Sequence, residues 1–256
     1  METLHLESIV SAIMLIGIRV SGFILFTPFF SGEGIPAQIK IALTAGLTAL
    51  LYPICRNSSR LLGALQTAEG VCGEFVVGML MGLAVQLVFE GAQMAGQILG
   101  VQAGYSLVTT LDPQTQADTP VLSTFNQLIT MLIYLQFNIH HWVLRSLSAS
   151  FTYLPAGTEM SVMKSGVGLF QAAGGIWLAG LQLAAPVLAA TLLVDITLGF
   201  LSKASPQMPV LFVGLSFKTV VSLVLFAGSL VRWPGIFEQR FLTSVALGER
   251  LLHLSR

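Results

Sequence analysis

From Glu69 to Gly104 no proline interrupts a helical pattern, and at about 1.5 Å per residue a continuous helix over this stretch is about 50 Å long. The hydrocarbon core of a bilayer is about 30 Å thick. The stretch must therefore break at one of its glycines, tilt, or run on beyond the lipid. Its polar residues are not scattered. Gln86, Glu90, Gln93 and Gln97 recur at steps of four, three and four, which stacks them on one face of a helix. Beside them Ala92, Gly96, Gly100 and Gly104 recur every fourth residue, a ridge low enough for another backbone to approach closely. The polar face is either glue between helices or the lining of an aqueous path, since both need the same amphipathic pattern. A polar, turn-prone segment follows: Tyr105, Ser106, Leu107, Val108, Thr109, Thr110, Leu111, Asp112, Pro113, Gln114, Thr115, Gln116, Ala117, Asp118 and Thr119. Asp-Pro at its centre is a turn signal.

The surroundings are apolar enough to place this helix in a membrane. Hydrophobic residues make up 54% of the chain and charged residues 9%, where a soluble domain carries about a quarter charged; the mean hydropathy is +0.82. The formal net charge is zero, and the absence of a basic cluster argues against nucleic acid as a partner. The opening residues, METLHLES, carry acids where a secretory signal carries Lys or Arg, and Arg19 interrupts the apolar run that follows; no cleavable signal is expected. Cys55 and Cys72 lack CxxC spacing and are expected to be free, buried thiols.

About six hydrophobic segments follow one another. The first, Ile9 to Phe30, contains Arg19, a costly charge that calls for a carboxylate partner, a wet cavity or an interfacial position. The second starts after Pro36, carries Lys40 and is expected to stop at Pro53. After the long stretch come Pro120 to Asn138, then Gly166 to Ser202 with Pro186, which should kink or divide it. Asp195, Gly199 and Lys203 share a slowly drifting face there. The last, Val210 to Val231, holds Lys218. If all six cross, Arg56, Arg60, Arg145, Lys164, Arg232, Arg240, Arg250 and Arg256 lie on the side of both termini, which the positive-inside rule makes cytoplasmic. Arg19, Lys40, Asp195 and Lys203 read as structural charges, with a proton relay through Asp195 and Lys203 as the alternative. No P-loop, dinucleotide fingerprint, HExxH or GxSxG occurs, and the adjacent His140 and His141 lack further ligands nearby. The chain reads as a non-enzymatic, cofactor-free, all-α membrane protein forming a single domain over residues 1–256.

Three stretches together resemble the FliR family of flagellar type III export-gate proteins. RVSGFILFTPFFSGEGIPAQIKIAL carries Arg19, Gly22, Pro28, Pro36 and Lys40 in the family's order. AGQILGVQAGYSLVTTLDPQTQADTPVLSTF resembles its glycine-spaced helix and Asp-Pro-Gln loop. PVLAATLLVDITLGFLSKASPQMPVLFVGLSFK resembles its Pro, Asp, Gly and Ala-Pro-Gln-Met series, departing at Lys203 and Pro209, where Arg and Asn are expected. The resemblance implies long, bent helical hairpins joined with several copies of FliP and FliQ in a closed helical assembly, the entrance for unfolded flagellar subunits crossing the bacterial inner membrane. It further implies that part of the assembly stands above the bilayer on the periplasmic side, that FlhB wraps the cytoplasmic mouth, and that Tyr105 to Thr119 plug the pore. Two alternatives stay open. One is the injectisome counterpart, against which the Asp112-Pro113-Gln114 loop speaks. The other is a small-solute transporter using Arg19, Glu90 and Asp195, although the two halves do not align as such repeats often do.

Overall fold

The computed structural model describes residues 2–32, 34–55, 68–104, 121–157, 162–205 and 210–254. Tyr105 to Thr119 lie outside the described residues. Among those described, no strand forms and the regular elements are helices: α1 (Glu2–Phe26), α2 (Pro28–Ser31), α3 (Ala37–Cys55), α4 (Ala68–Gln102), α5 (Val121–Gln136), α6 (Ile139–Tyr153), α7 (Val162–Ala204), α8 (Val210–Leu230) and α9 (Trp233–Leu254). The protein is an all-α membrane protein. Ile9–Phe26, Gly70–Gln102 and Leu178–Ala204 are long and apolar enough to cross a bilayer, and Gly214–Leu230 with Trp233–Gly248 qualify as one pair bent by 62°. Not every apolar segment reaches that length: α5 has 16 residues, about 24 Å of helix.

Of the alternatives open to the long stretch, a break at its glycines is excluded, because α4 runs unbroken for 35 residues. Pro186 does not divide α7, which continues through it for 43 residues in all; one missing backbone donor is tolerated when the turns on either side remain bonded. Pro53 likewise lies inside the last turn of α3. Cys72 is free but exposed, not buried, since the buried side of α4 at this level is taken by Gly73 and Glu74.

The chain forms two compact units, residues 1–87, 135–173 and 240–256 in the first and 88–134 and 174–239 in the second. The divisions fall within α4, α5, α7 and α9. In lipid there is little hydrophobic gain from packing one apolar helix on another, so close backbone approach carries the association. The first unit uses Gly22, Gly78 and Gly82 for this. A Cβ on Gly22 would sit 2.5 Å from the Phe75 carbonyl, and one on Gly82 would sit 2.9 Å from the Phe23 carbonyl, so α1 and α4 touch through their backbones. Leu15, Ile16, Val20 and Phe23 of α1 and Val77, Leu80 and Met81 of α4 are buried around that contact.

In the second unit α4 meets three helices. Gly96 faces Ser123 of α5, the Thr219 hydroxyl of α8 donates to the Ala103 carbonyl at 2.6 Å, and Gly180 of α7 faces the Gly91 carbonyl and Met94. Edge-to-face rings continue the packing from Phe125 to Phe226 and on to Trp233. Such ring pairs contribute about 1 kcal/mol beyond the area they bury.

Candidate functional site

Arg19 occupies the same face of α1 as Leu15 and Phe23, one turn away on either side, and all three are fully buried. Its Nε donates to Glu74 Oε2 at 2.6 Å. Its Nη1 donates to the Ser150 hydroxyl at 3.2 Å and to the Leu154 carbonyl at 3.0 Å, and its guanidinium carbon lies 4.3 Å from the centre of the Phe151 ring. Glu74, 2% exposed, completes the cluster by accepting the Gly157 amide on Oε1 at 2.8 Å. Gly157 has φ +85°, a left-handed conformation that glycine adopts without strain. One ion pair therefore ties α1, α4, α6 and the turn after α6 together within the first unit. Of the three explanations that Arg19 invites, a carboxylate partner is the one found. Sequence reasoning does not single out Ser150 and Phe151, and it notes Glu74 as an acid within the long helix without matching it to Arg19. Opposite intramembrane charges on two apolar segments were the available signal.

The four positions of the ridge differ in kind. Ala92 is fully buried and its carbonyl accepts the Asn126 amide at 3.2 Å. A Cβ on Gly96 would lie 2.5 Å from Ser123 Cα, so α4 and α5 cross there with no room for a side chain. Gly104 has φ +86° and ends α4, with the Ala103 and Gly104 amides returning to the Leu99 and Val101 carbonyls, the usual glycine cap. Gly100 differs: a Cβ there would meet nothing within 4 Å. Along the polar face Gln86, Glu90 and Gln93 are half-buried and Gln97 is exposed, and Gln86 and Glu90 engage other groups.

This difference yields a prediction. Gly96→Leu should prevent the chain from accumulating in the membrane, whereas Gly100→Leu should leave it intact and, if the ridge meets a neighbouring subunit, reduce co-purification with FliP. Normal co-purification of Gly100→Leu counts against a subunit contact at that position.

The other charges are dispersed. Asp195 of α7 accepts Lys218 of α8 through Oδ2 at 2.7 Å; the pairing of Asp195 with Lys203 is thus corrected to Lys218, with Lys203 exposed. Eight residues along one helix separate two Cα atoms by about 12 Å, while a neighbouring helix brings Lys218 alongside. Lys40 donates to the Ser31 carbonyl at 3.1 Å, fastening the start of α3 to the end of α2. The His140 and His141 rings lie 4.2 Å apart. Burial, then the charge of His141, lower the His140 pKa from the ordinary histidine value. Among the described residues no cluster of three His, Cys, Asp or Glu side chains could hold a metal.

The family model for bacterial export proteins, family 1, matches residues 10–244. The chain is similar to the flagellar biosynthetic protein FliR of Bacillus subtilis (strain 168), 29% identical over 221 residues that cover 84% of each chain. It is similar to FliR of Escherichia coli (strain K12), 28% identical over 210 residues, 82% of this chain and 80% of that one. It is also similar to the surface presentation of antigens protein SpaR of Shigella sonnei, 29% identical over 153 residues, 59% and 58% of the two chains.

Proposed function

This chain belongs to the bacterial export proteins, family 1, and from that membership we propose that it is a subunit of the flagellar type III export gate. In this reading it joins FliP and FliQ in the inner membrane to form the pore through which unfolded flagellar subunits leave the cytoplasm. FlhB lies at the cytoplasmic mouth, and part of the assembly stands on the periplasmic side. The observation that carries the reading is the family match across nearly the whole chain, together with coverage of four-fifths or more of each FliR relative just described. Helices longer than a bilayer needs suit a protein that is partly clear of the lipid. The chain acts as an export component and not as an enzyme. Cells lacking it should stop releasing hook and filament subunits into the medium, and the wild-type gene should restore release. Undiminished release contradicts the reading.

The similarity to SpaR favours an injectisome role as the second reading, over the shorter part of the chain that it covers. Membership of an export family weighs against the small-solute transporter.

Within this gate we assign Tyr105 to Thr119 the role of a movable plug, on the strength of the family resemblance and of the position of this loop directly after the Gly104 cap. The stripe of Gln86, Glu90, Gln93 and Gln97 faces the interior of the assembly. Deleting Ser106 to Asp118 should raise ion conductance through the reconstituted gate while leaving its composition unchanged. Equal conductance with and without the loop counts against a plug.

A further inference from the structure

We propose that the outward face of α7 around Asp195 is a docking surface for an apolar helix of another membrane subunit, one that brings a hydrogen-bond donor to the Asp195 carboxylate. The proposal rests on the export-gate reading and names a contact within it.

Three observations converge on this face. First, Leu178–Ala204 is long and apolar enough to cross a membrane, yet 22% of its most apolar stretch is buried within the chain, against 50% for the corresponding stretches of α1 and α4. Second, the ion pair on it is lopsided. The Lys218 side chain is 16% exposed and the Asp195 side chain 46%, so the pair hides its cation and presents its acid. Lys218 engages Oδ2, and Oδ1 accepts from no described residue. Third, Gly199 lies one turn further along the same face, exposed, with nothing within 4 Å of where a Cβ would stand. A second backbone can therefore come close beside the carboxylate, as small residues permit between membrane helices.

A carboxylate open to hydrocarbon is costly at the centre of a helix, so lipid is a poor neighbour for Asp195. Water is a poor neighbour for the flanks, because Leu192, Ile196 and Phe200 are all more than half exposed on the same side of α7. A helix that is apolar over most of its length, with one Lys or Arg at the level of Asp195, satisfies both. Interhelical hydrogen bonds of this kind hold membrane helices in register.

The test uses the full chain coexpressed with FliP and FliQ and compares its amount in the membrane with the amount of partner retained. A charge-swapped chain, Asp195→Lys with Lys218→Asp, keeps the internal pair but turns the cation outward. It should accumulate like wild type and retain about tenfold less partner, the loss of about one good hydrogen bond in binding. Full retention by the swapped chain overturns the proposal, because the pair then serves the chain alone. A second readout does not depend on the swapped chain folding. Ile196→Cys in a chain whose Cys55 and Cys72 are replaced by Ala should react with a lipid-soluble maleimide when the chain is alone and be protected in the assembly; equal reactivity in both states also overturns it. Failure of the export-gate reading looks different: the wild-type chain itself is then not retained by FliP and FliQ, and the proposal falls with it.

Discussion

Replacing Glu74 with alanine should destabilise the first compact unit by about 3–5 kcal/mol, the usual cost of removing one partner from a buried ion pair. The cost arises mainly from what is left behind. Arg19 is fully buried, with Phe151 under its guanidinium, and without Glu74 its charge has no counter-ion among the described residues. The Gly157 amide loses its acceptor at the same time. Arg19→Lys should be nearly as damaging, because an ammonium has no fork with which to reach Glu74 Oε2, Ser150 Oγ and Leu154 O together. The paired replacement Arg19→Met with Glu74→Leu removes both charges and fills the space. It should recover most of the loss, since an apolar pair of similar volume often matches or exceeds a buried ion pair in stability. Thermal unfolding of the full chain in detergent compares the four proteins. A Glu74→Ala chain that melts with the wild type shows that the pair does not hold the unit together.

The second large effect is expected at Gly78. A Cβ there would collide with the Arg19 carbonyl and lie 2.8 Å from the Phe23 amide nitrogen. Both are backbone atoms of α1, which cannot swing aside as a side chain does. Gly78→Ala should therefore cost about 3 kcal/mol, the upper end of what overpacking usually costs, and larger residues should cost more. Gly73 is the internal control. It stands on the same helix, and a Cβ there would meet nothing within 4 Å. Gly73→Ala should be neutral or stabilise by up to about 1 kcal/mol through helix propensity alone. Equal melting temperatures for the two variants contradict the close backbone crossing of α1 and α4.

How far these sites could be read in advance depends on the range of the interaction. The ridge of Ala92, Gly96, Gly100 and Gly104 is a local pattern, and helical periodicity is enough to find it. Which of its members meets a neighbour is not local: Gly96 faces α5 while Gly100 faces open space, and both read alike in one dimension. Arg19 announces the need for a partner because charge in an apolar segment is costly. Its partner lies 55 residues away, and only the packing of α1 on α4 selects Glu74. Asp195 and Lys203 share one helix and so pair readily in one dimension, while the true partner, Lys218, stands on the next helix. Pro53 does not stop α3 and Pro186 does not divide α7, because a proline removes one hydrogen bond of many. An embedded helix has strong reason to keep the rest, as no water is there to replace them. The role of Tyr105 to Thr119 rests on resemblance, and those residues lie outside the described structure.

The central claim is that this chain is one subunit of a multi-subunit export gate. It is tested most directly by purifying the chain in mild detergent from cells that also make FliP and FliQ. A subunit of the gate should elute with both in a single complex much larger than its own 27.3 kDa, and the three should stay together on a second column. A chain that elutes alone, well folded and free of both proteins, contradicts the claim.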